Sequence, residues 1–308
     1  MVCEGQKIYL NLVYLDKLEV PNPYGLYTCT LGHNLKNRPM RKINVLILIL
    51  ILLPLRLMSQ DRVSVLKEFK NIDLSCLWIY DSTESIQDLI TQNGKDVIVY
   101  GKCVHSEPLG FIGENYQRLY IHFDNVKQDK KKPLEYYVFG KSKVDINICS
   151  FEGKLKISEA YKNNILDVYD TDFITGTIKG EFEFYENKNQ IASGLFKGEF
   201  YSNWCKNIKT NIIEYNALDA VSDRFCNNGF TGIWTSYKTN SKKKCSWGDS
   251  RIPDSGDLDT GEGEFYVNEK YIKFGWDSYY KAWNGKQDTQ ESLDSRSIEY
   301  QQWWNTKK

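Results

Sequence analysis

From residue 95 onward, hydrophobic residues recur with a period of two. Leu119, Ile121 and Phe123 alternate with Tyr120, His122 and Asp124, the pattern of a strand with one buried face. Val97 and Val99 alternate with Ile98 and Tyr100 in a run that has no polar side. Strand patterns also cover 135–141, 153–160, 173–185, 191–201, 232–237 and, across a turn, 263–274. Glycine and asparagine punctuate them, as turns require. Earlier in the chain the period differs. Val63, Leu66 and Phe69 are spaced by three, and 85–90 carries Ile86, Leu89 and Ile90, so two short helices are expected there. The expected fold is mainly β, an antiparallel meander, sandwich or barrel, with one or two short N-terminal helices.

A near-repeat supports serial hairpins. Residues 175–182 read Thr-Gly-Thr-Ile-Lys-Gly-Glu-Phe, and 193–200 read Ser-Gly-Leu-Phe-Lys-Gly-Glu-Phe. On a strand, Glu181 and Glu183 face solvent while Phe182 and Phe184 face the core. The polar segment 185–190 between the copies reads as a hairpin turn. The glycine spacing resembles that of MORN repeats, a family of short hairpins stacked in series, over roughly 30 residues.

Residues 40–60 change the reading of the N-terminal part. A basic Met-Arg-Lys start precedes the apolar run 45–53, which is broken by Pro54 and Arg56 and followed by Ser59-Gln60. That order is a signal peptide with cleavage after Ser59, and the run is shorter than the roughly 20 residues a membrane helix needs. Residues 1–39 are then expected to be an extension from an upstream start, 40–59 the signal peptide and 60–308 the mature body. A split of the mature part near 160 would separate a small barrel-like portion from the repeat-containing sheet. The expected location is secreted or periplasmic.

The 308 residues carry 40 basic and 40 acidic groups, a balance that does not call for nucleic acid. Residues 1–59 hold seven of the basic groups and three of the acidic ones, so the mature part is mildly acidic. It retains six cysteines, Cys76, Cys103, Cys149, Cys205, Cys226 and Cys245. An even count behind a secretory signal predicts disulfides.

Candidate chemistry is sparse. Phe139-Gly140-Lys141-Ser142 resembles the end of a phosphate loop, but Glu135 stands where that motif needs glycine. Hydrolase and metalloprotease signatures are absent. Cys103 and His105 beside His122 and Asp124 would be a nucleophile pair only with a free thiolate. Glu181, Glu183, Glu199 and Glu264 are the carboxylates available for glycoside hydrolysis. The acidic stretch 254–264 offers Asp254, Asp257, Asp259 and Glu262 as oxygen ligands for calcium, the one cofactor to consider. Six of the eight tryptophans lie in the last 75 residues. Trp247, Asp249 and Trp276 are the candidate ligand-binding residues, with Trp247 placed at the surface beside the acidic loop. The function expected is a non-enzymatic binding module for a protein or glycan at the cell envelope, a class that includes inhibitors and immunity-type proteins. The alternative is a secreted carbohydrate hydrolase using paired carboxylates.

Overall fold

The computed structural model describes residues 63–79, 107–163, 173–218, 220 and 222–305, with the backbone of 85–92 and 95–102. The signal-peptide segment, Cys103 and His105 lie outside the described residues. The chain divides into two units, 1–56 and 57–308, and everything below concerns the second.

The described residues contain twelve strands: β1 (Val63–Ser64), β2 (Ser85–Gln92), β3 (Lys95–Lys102), β4 (Leu109–Ile112), β5 (Gln117–Asp129), β6 (Lys132–Val144), β7 (Asn147–Lys162), β8 (Phe173–Glu186), β9 (Gly194–Asn207), β10 (Ile213–Tyr215), β11 (Asn227–Ser236) and β12 (Lys242–Asp249). Strands β2 and β3 form a two-stranded sheet, and the other ten a single antiparallel one. Within that larger sheet the pairings run β4–β5–β6–β7–β8–β9–β11–β12, and β12 pairs back onto β4 through Trp247↔Gly110. The hydrogen-bonded ladders therefore make a closed circuit of eight strands, to which β1 and β10 are added on β7 and β9.

The sequence alternation explains which side faces in. Ile178, Phe182 and Phe184 of β8 are buried, while Lys179 and Glu181 are exposed and Glu183 pairs with Lys197. The two repeat copies are neighbouring strands in antiparallel register, so Gly180 opposes Phe200 and Phe182 opposes Gly198. Similar pairs recur at Gly140↔Phe151, Gly153↔Phe184 and Gly176↔Trp204. Each glycine leaves room for a ring from the adjacent strand. A Cβ at Gly180 would lie 2.7 Å from Phe200 Cε1 and nearer still to the Lys156 carbonyl. Register shifts at Phe123/Asn125 and Ile157/Glu159 add local bends.

The interior is filled by rings. Phe230 stacks on Trp247 at 4.9 Å and on Phe200 at 5.5 Å, and Phe151 stacks on Phe184 at 5.1 Å. The segment 65–79 packs into the same core through Phe69, Leu74, Leu77 and Trp78. Trp78 Nε1 donates to Ser202 Oγ at 2.9 Å, and the Leu74 N–H donates to the Tyr136 hydroxyl at 3.1 Å. A second core, with Phe111, Leu258, Phe265 and Trp276, lies on the other side of β4. All four residues of β4 are buried because both faces are covered.

Several expectations change. Residues 85–90 lie in a strand rather than a helix. Their β-branched Ile86, Ile90 and Thr91, with Asn-Gly at 93–94, suit a hairpin, and three apolar positions in six residues do not distinguish the two periods. The expected helix from Val63 is two 3-10 turns, Glu68–Asn71 and Ser75–Leu77. Residues 263–274 contribute no strand; Glu269–Phe274 is a 3-10 helix capped by the Asn268 side chain. The C-terminal region adds α1 (Asp277–Tyr279), a π turn at Tyr280–Asn284 and α2 (Gln290–Glu299), which begins in a capping box at Thr289.

The predicted disulfides are also corrected. Cys76, Cys149, Cys205, Cys226 and Cys245 are free thiols. Four of them donate to separate backbone carbonyls, Cys76 to Ile213, Cys149 to Ile191, Cys205 to Tyr215 and Cys226 to Arg251, and Cys245 is fully buried in the core. They act as small hydrophobes with a weak donor. Burial pushes the Cys149 and Cys245 thiols up to about 12 and those of Cys205 and Cys226 up to about 11.

Two tests follow from the packing. Gly180→Ala should lower stability by about 1–3 kcal/mol in urea melts, the usual cost of overpacking; an unchanged midpoint would contradict the close approach. Glu186, 5% exposed, accepts from Ser142 Oγ, from the Gly194 N–H at 2.7 Å and from Trp234 Nε1 at 2.9 Å. Burial nonetheless pushes its carboxyl above the ordinary 4.5, with those hydrogen bonds opposing. A raised acid binds its proton more tightly when folded, so its stabilisation is complete below the ordinary value and is lost as pH rises through the folded one. Glu186→Gln should therefore gain stability relative to the native protein as pH rises through that window. A difference that stays constant between pH 4 and 8 would contradict this.

Candidate functional site

The outer face of β5 carries Arg118, Tyr120, His122 and Asp124, because Leu119, Ile121 and Phe123 take the inner positions. The C-terminal segment lies against this face and leaves two cavities. The larger, about 570 Å³, is lined by Arg118 and Tyr120 of β5, Tyr279 of α1, Trp283 of the π turn, and Tyr300 and Trp303 beyond α2. Carboxylates share its wall, among them Asp223, Glu262 and Glu264, which are exposed, and Glu299, which is not. The smaller, about 270 Å³, reaches the inner face instead, with Trp78, Ile121, Phe123, Phe230, Trp247 and Asp249 in its lining. Glu107 and Trp304 line both.

Glu107 and Trp304 meet at His122. The His122 ring stacks on Trp304 at 4.1 Å, 11° from parallel. His122 Nδ1 lies 3.0 Å from Glu107 Oε1, and Nε2 lies 3.6 Å from Asp124 Oδ1. Lys141 Nζ donates to the Trp304 carbonyl at 2.6 Å. Burial pushes the Glu107 carboxyl above its ordinary range, opposed by the His122 hydrogen bond. His122 and Asp124 thus converge as their shared strand face predicts, with Glu107 as a third member.

Arg118 is the central cation of the larger cavity. Its guanidinium carbon lies 4.2 Å from the Trp276 ring centroid and 4.7 Å from that of Tyr120. Nη2 reaches Glu299 Oε2 at 3.5 Å, with side-chain exposures of 4% and 6% for the pair. Glu299 also accepts from Ser278 Oγ. Burial pushes the Tyr120 and Tyr279 hydroxyls up, with the Arg118 charge opposing in both. Trp283 is half-buried, its ring 4.8 Å from that of Tyr279 and nearly perpendicular to Tyr300 at 6.0 Å.

The acidic stretch is organised around Arg251. Its Nε donates to Asp259 Oδ2 at 2.7 Å, Nη1 to the Gly263 carbonyl at 2.9 Å and Nη2 to the Gly261 carbonyl at 2.7 Å. The guanidinium thereby holds three oxygen acceptors of the loop. Asp259 Oδ1 accepts from the N–H groups of Gly261 and Tyr266, and Asp257 pairs with Lys270 and Tyr271. The side chains of Asp254, Asp257, Asp259 and Glu262 do not gather: among the described residues no group of three or more His, Cys, Asp or Glu side chains is placed to hold a metal ion.

The other sequence candidates are dispersed. Trp247 is 1% exposed rather than at the surface, since it is the partner on which Phe230 stacks; with the buried Asp249 it lines the smaller cavity. Trp276 is fully buried in the second core, where its Nε1 donates to the Tyr116 carbonyl at 2.7 Å. Glu181, Glu183 and Glu199 lie on the outer face of the β8–β9 pair, and of that set only Glu264 reaches a cavity. Arg118 is not among the sequence candidates, since an arginine on an alternating strand is usually solvated, and neither is Trp283. The signal for the latter was the crowding of tryptophans near the C-terminus. Among the described residues, no helix is long and apolar enough to cross a membrane. Compared with protein-family models, curated proteins and solved structures, the chain matches none.

Proposed function

We propose that this chain is a secreted or periplasmic binding module that takes a glycan in the 570 Å³ cavity. The observation that carries the reading is the mixed wall: aromatic rings on Tyr120, Tyr279, Trp283, Tyr300 and Trp303 beside the carboxylates of Glu262 and Glu264. Sugars present apolar C–H faces that pack on rings and hydroxyls that donate to carboxylates. We take the closed circuit of ladders as an eight-stranded barrel whose interior is mostly packed with rings, the smaller cavity reaching its inner face. The larger cavity lies on the outside, between β5 and the C-terminal segment, and takes the ligand there. The signal peptide at 40–59 would deliver the module to the envelope, where glycans are abundant.

A hydrolase acting on the same glycan is the second reading, favoured by Glu107. Its carboxyl is pushed up by burial and it lines the cavity with Glu262 and Glu264, which suits a proton donor beside further carboxylates.

Screening the full chain on a glycan array should give specific binders, and Trp283→Ala should weaken them by at least about tenfold with the thermal melt preserved, as expected for loss of a stacking platform. Failure to bind any glycan would contradict the proposal. Release of new reducing ends from a bound glycan would favour the hydrolase.

A further inference from the structure

We propose that the sugar received by the larger cavity is an acidic one, whose negatively charged oxygens accept hydrogen bonds from Arg118 and Trp303. The inference rests on the glycan reading above and adds the chemical class of the ligand.

The argument begins with the donors. Arg118 is 3% exposed and has five N–H groups to satisfy. Among the described residues its carboxylate partner is Glu299, reached from one nitrogen at 3.5 Å. Nε and Nη1 have no hydrogen-bond acceptor among the described residues, and neither does Nε1 of Trp303. Trp303 is 8% exposed and its ring lies 6.0 Å from that of Tyr120, which Arg118 also covers. The orphan donors thus belong to two neighbouring side chains in the wall of one cavity.

Buried donors of this kind ordinarily find acceptors. The ring faces of Trp276 and Tyr120 answer the charge of the guanidinium without a directed lone pair, and the Tyr120 hydroxyl accepts a hydrogen bond from Arg118 but leaves Nε and Nη1 unserved. One shared carboxylate at 3.5 Å is thin compensation for a buried cation. A carboxylate or sulfate on the ligand supplies the acceptors that the protein lacks. The orphan nitrogens of Arg118 and Trp303 are all covered in the free protein, so the anion reaches them by displacing a covering side chain. The exposed Asp223, Glu262 and Glu264 repel a uniformly anionic ligand, which leaves a molecule with one acidic group and several hydroxyls. An acidic sugar has that composition.

The test uses the full chain and an array carrying neutral, carboxylated and sulfated forms of the same oligosaccharides, followed by calorimetry on the best matched set. Acidic forms should bind at least about tenfold more tightly than their neutral counterparts, since hydrogen bonds to charged groups contribute about 1.5–3 kcal/mol. Comparison of the carboxylated and sulfated arms identifies which anion is read. Trp303→Phe keeps an aromatic ring and removes the donor, so it should weaken the acidic forms by more than the neutral ones and thereby reduce the preference. Arg118→Lys should reduce the preference further, with the thermal melt as the control for folding. Equal binding of neutral and acidic forms would overturn the assignment to Arg118 while leaving the glycan reading intact. If no oligosaccharide binds, the glycan reading fails and this inference fails with it.

Discussion

The close approach of glycine on one strand to an aromatic ring on the next is the constraint on which the architecture depends. Side chains on the concave face of a curved sheet crowd together, and rings as large as Phe and Trp fit there only where the opposing position has no side chain. The pairs Gly140↔Phe151, Gly153↔Phe184, Gly180↔Phe200 and Gly198↔Phe182 supply that relief along three successive ladders. Gly110↔Trp247 does the same where β12 meets β4. The stacked core of Phe200, Phe230 and Trp247 follows from this arrangement, and the buried Glu186 is tolerated within it because three donors surround it.

The larger cavity lies outside the packed rings. The outer face of β5 would be solvated if the chain ended at β12. Instead the C-terminal segment returns to it, with Trp276 and Tyr279 over Arg118, Glu299 opposite the guanidinium and Trp304 flat on His122. The cavities between these layers combine rings with charged groups on a rigid strand, the combination that recognition sites use. Arg251 performs a comparable organising role in the loop after β12, where one guanidinium ties Asp259 to two glycine carbonyls.

Much of the sheet was legible in the sequence because alternation is a direct record of which face is buried. Leu119 to Asp124 and Glu181 to Phe184 read correctly on that basis. The segment 85–90 did not, because a short apolar run satisfies either period and the Asn-Gly that follows carries the deciding signal. The cysteines misled for a different reason. Their number and the expected compartment favour bridges, yet each of four thiols finds its own carbonyl acceptor, which spacing along the chain does not encode. Trp247 was assigned to the surface from its polar neighbours in sequence, whereas the strand pleat turns its ring inward onto Phe230. The candidate site was the least legible part. Arg118, Trp283 and Trp303 come together only after β5 and the C-terminal segment, more than 150 residues apart in sequence, have packed against each other.

Closure of the circuit through β4 and β12 is the central claim, and amide hydrogen exchange tests it most directly. The ladder Cys245↔Ile112, Ser246↔Phe111 and Trp247↔Gly110 predicts that peptides covering 109–112 and 242–249 are protected to the same degree as those from the β8–β9 pair. Edge-strand behaviour in those peptides, with alternate amides exchanging as fast as exposed turns, would mean that the sheet is open and would contradict the account.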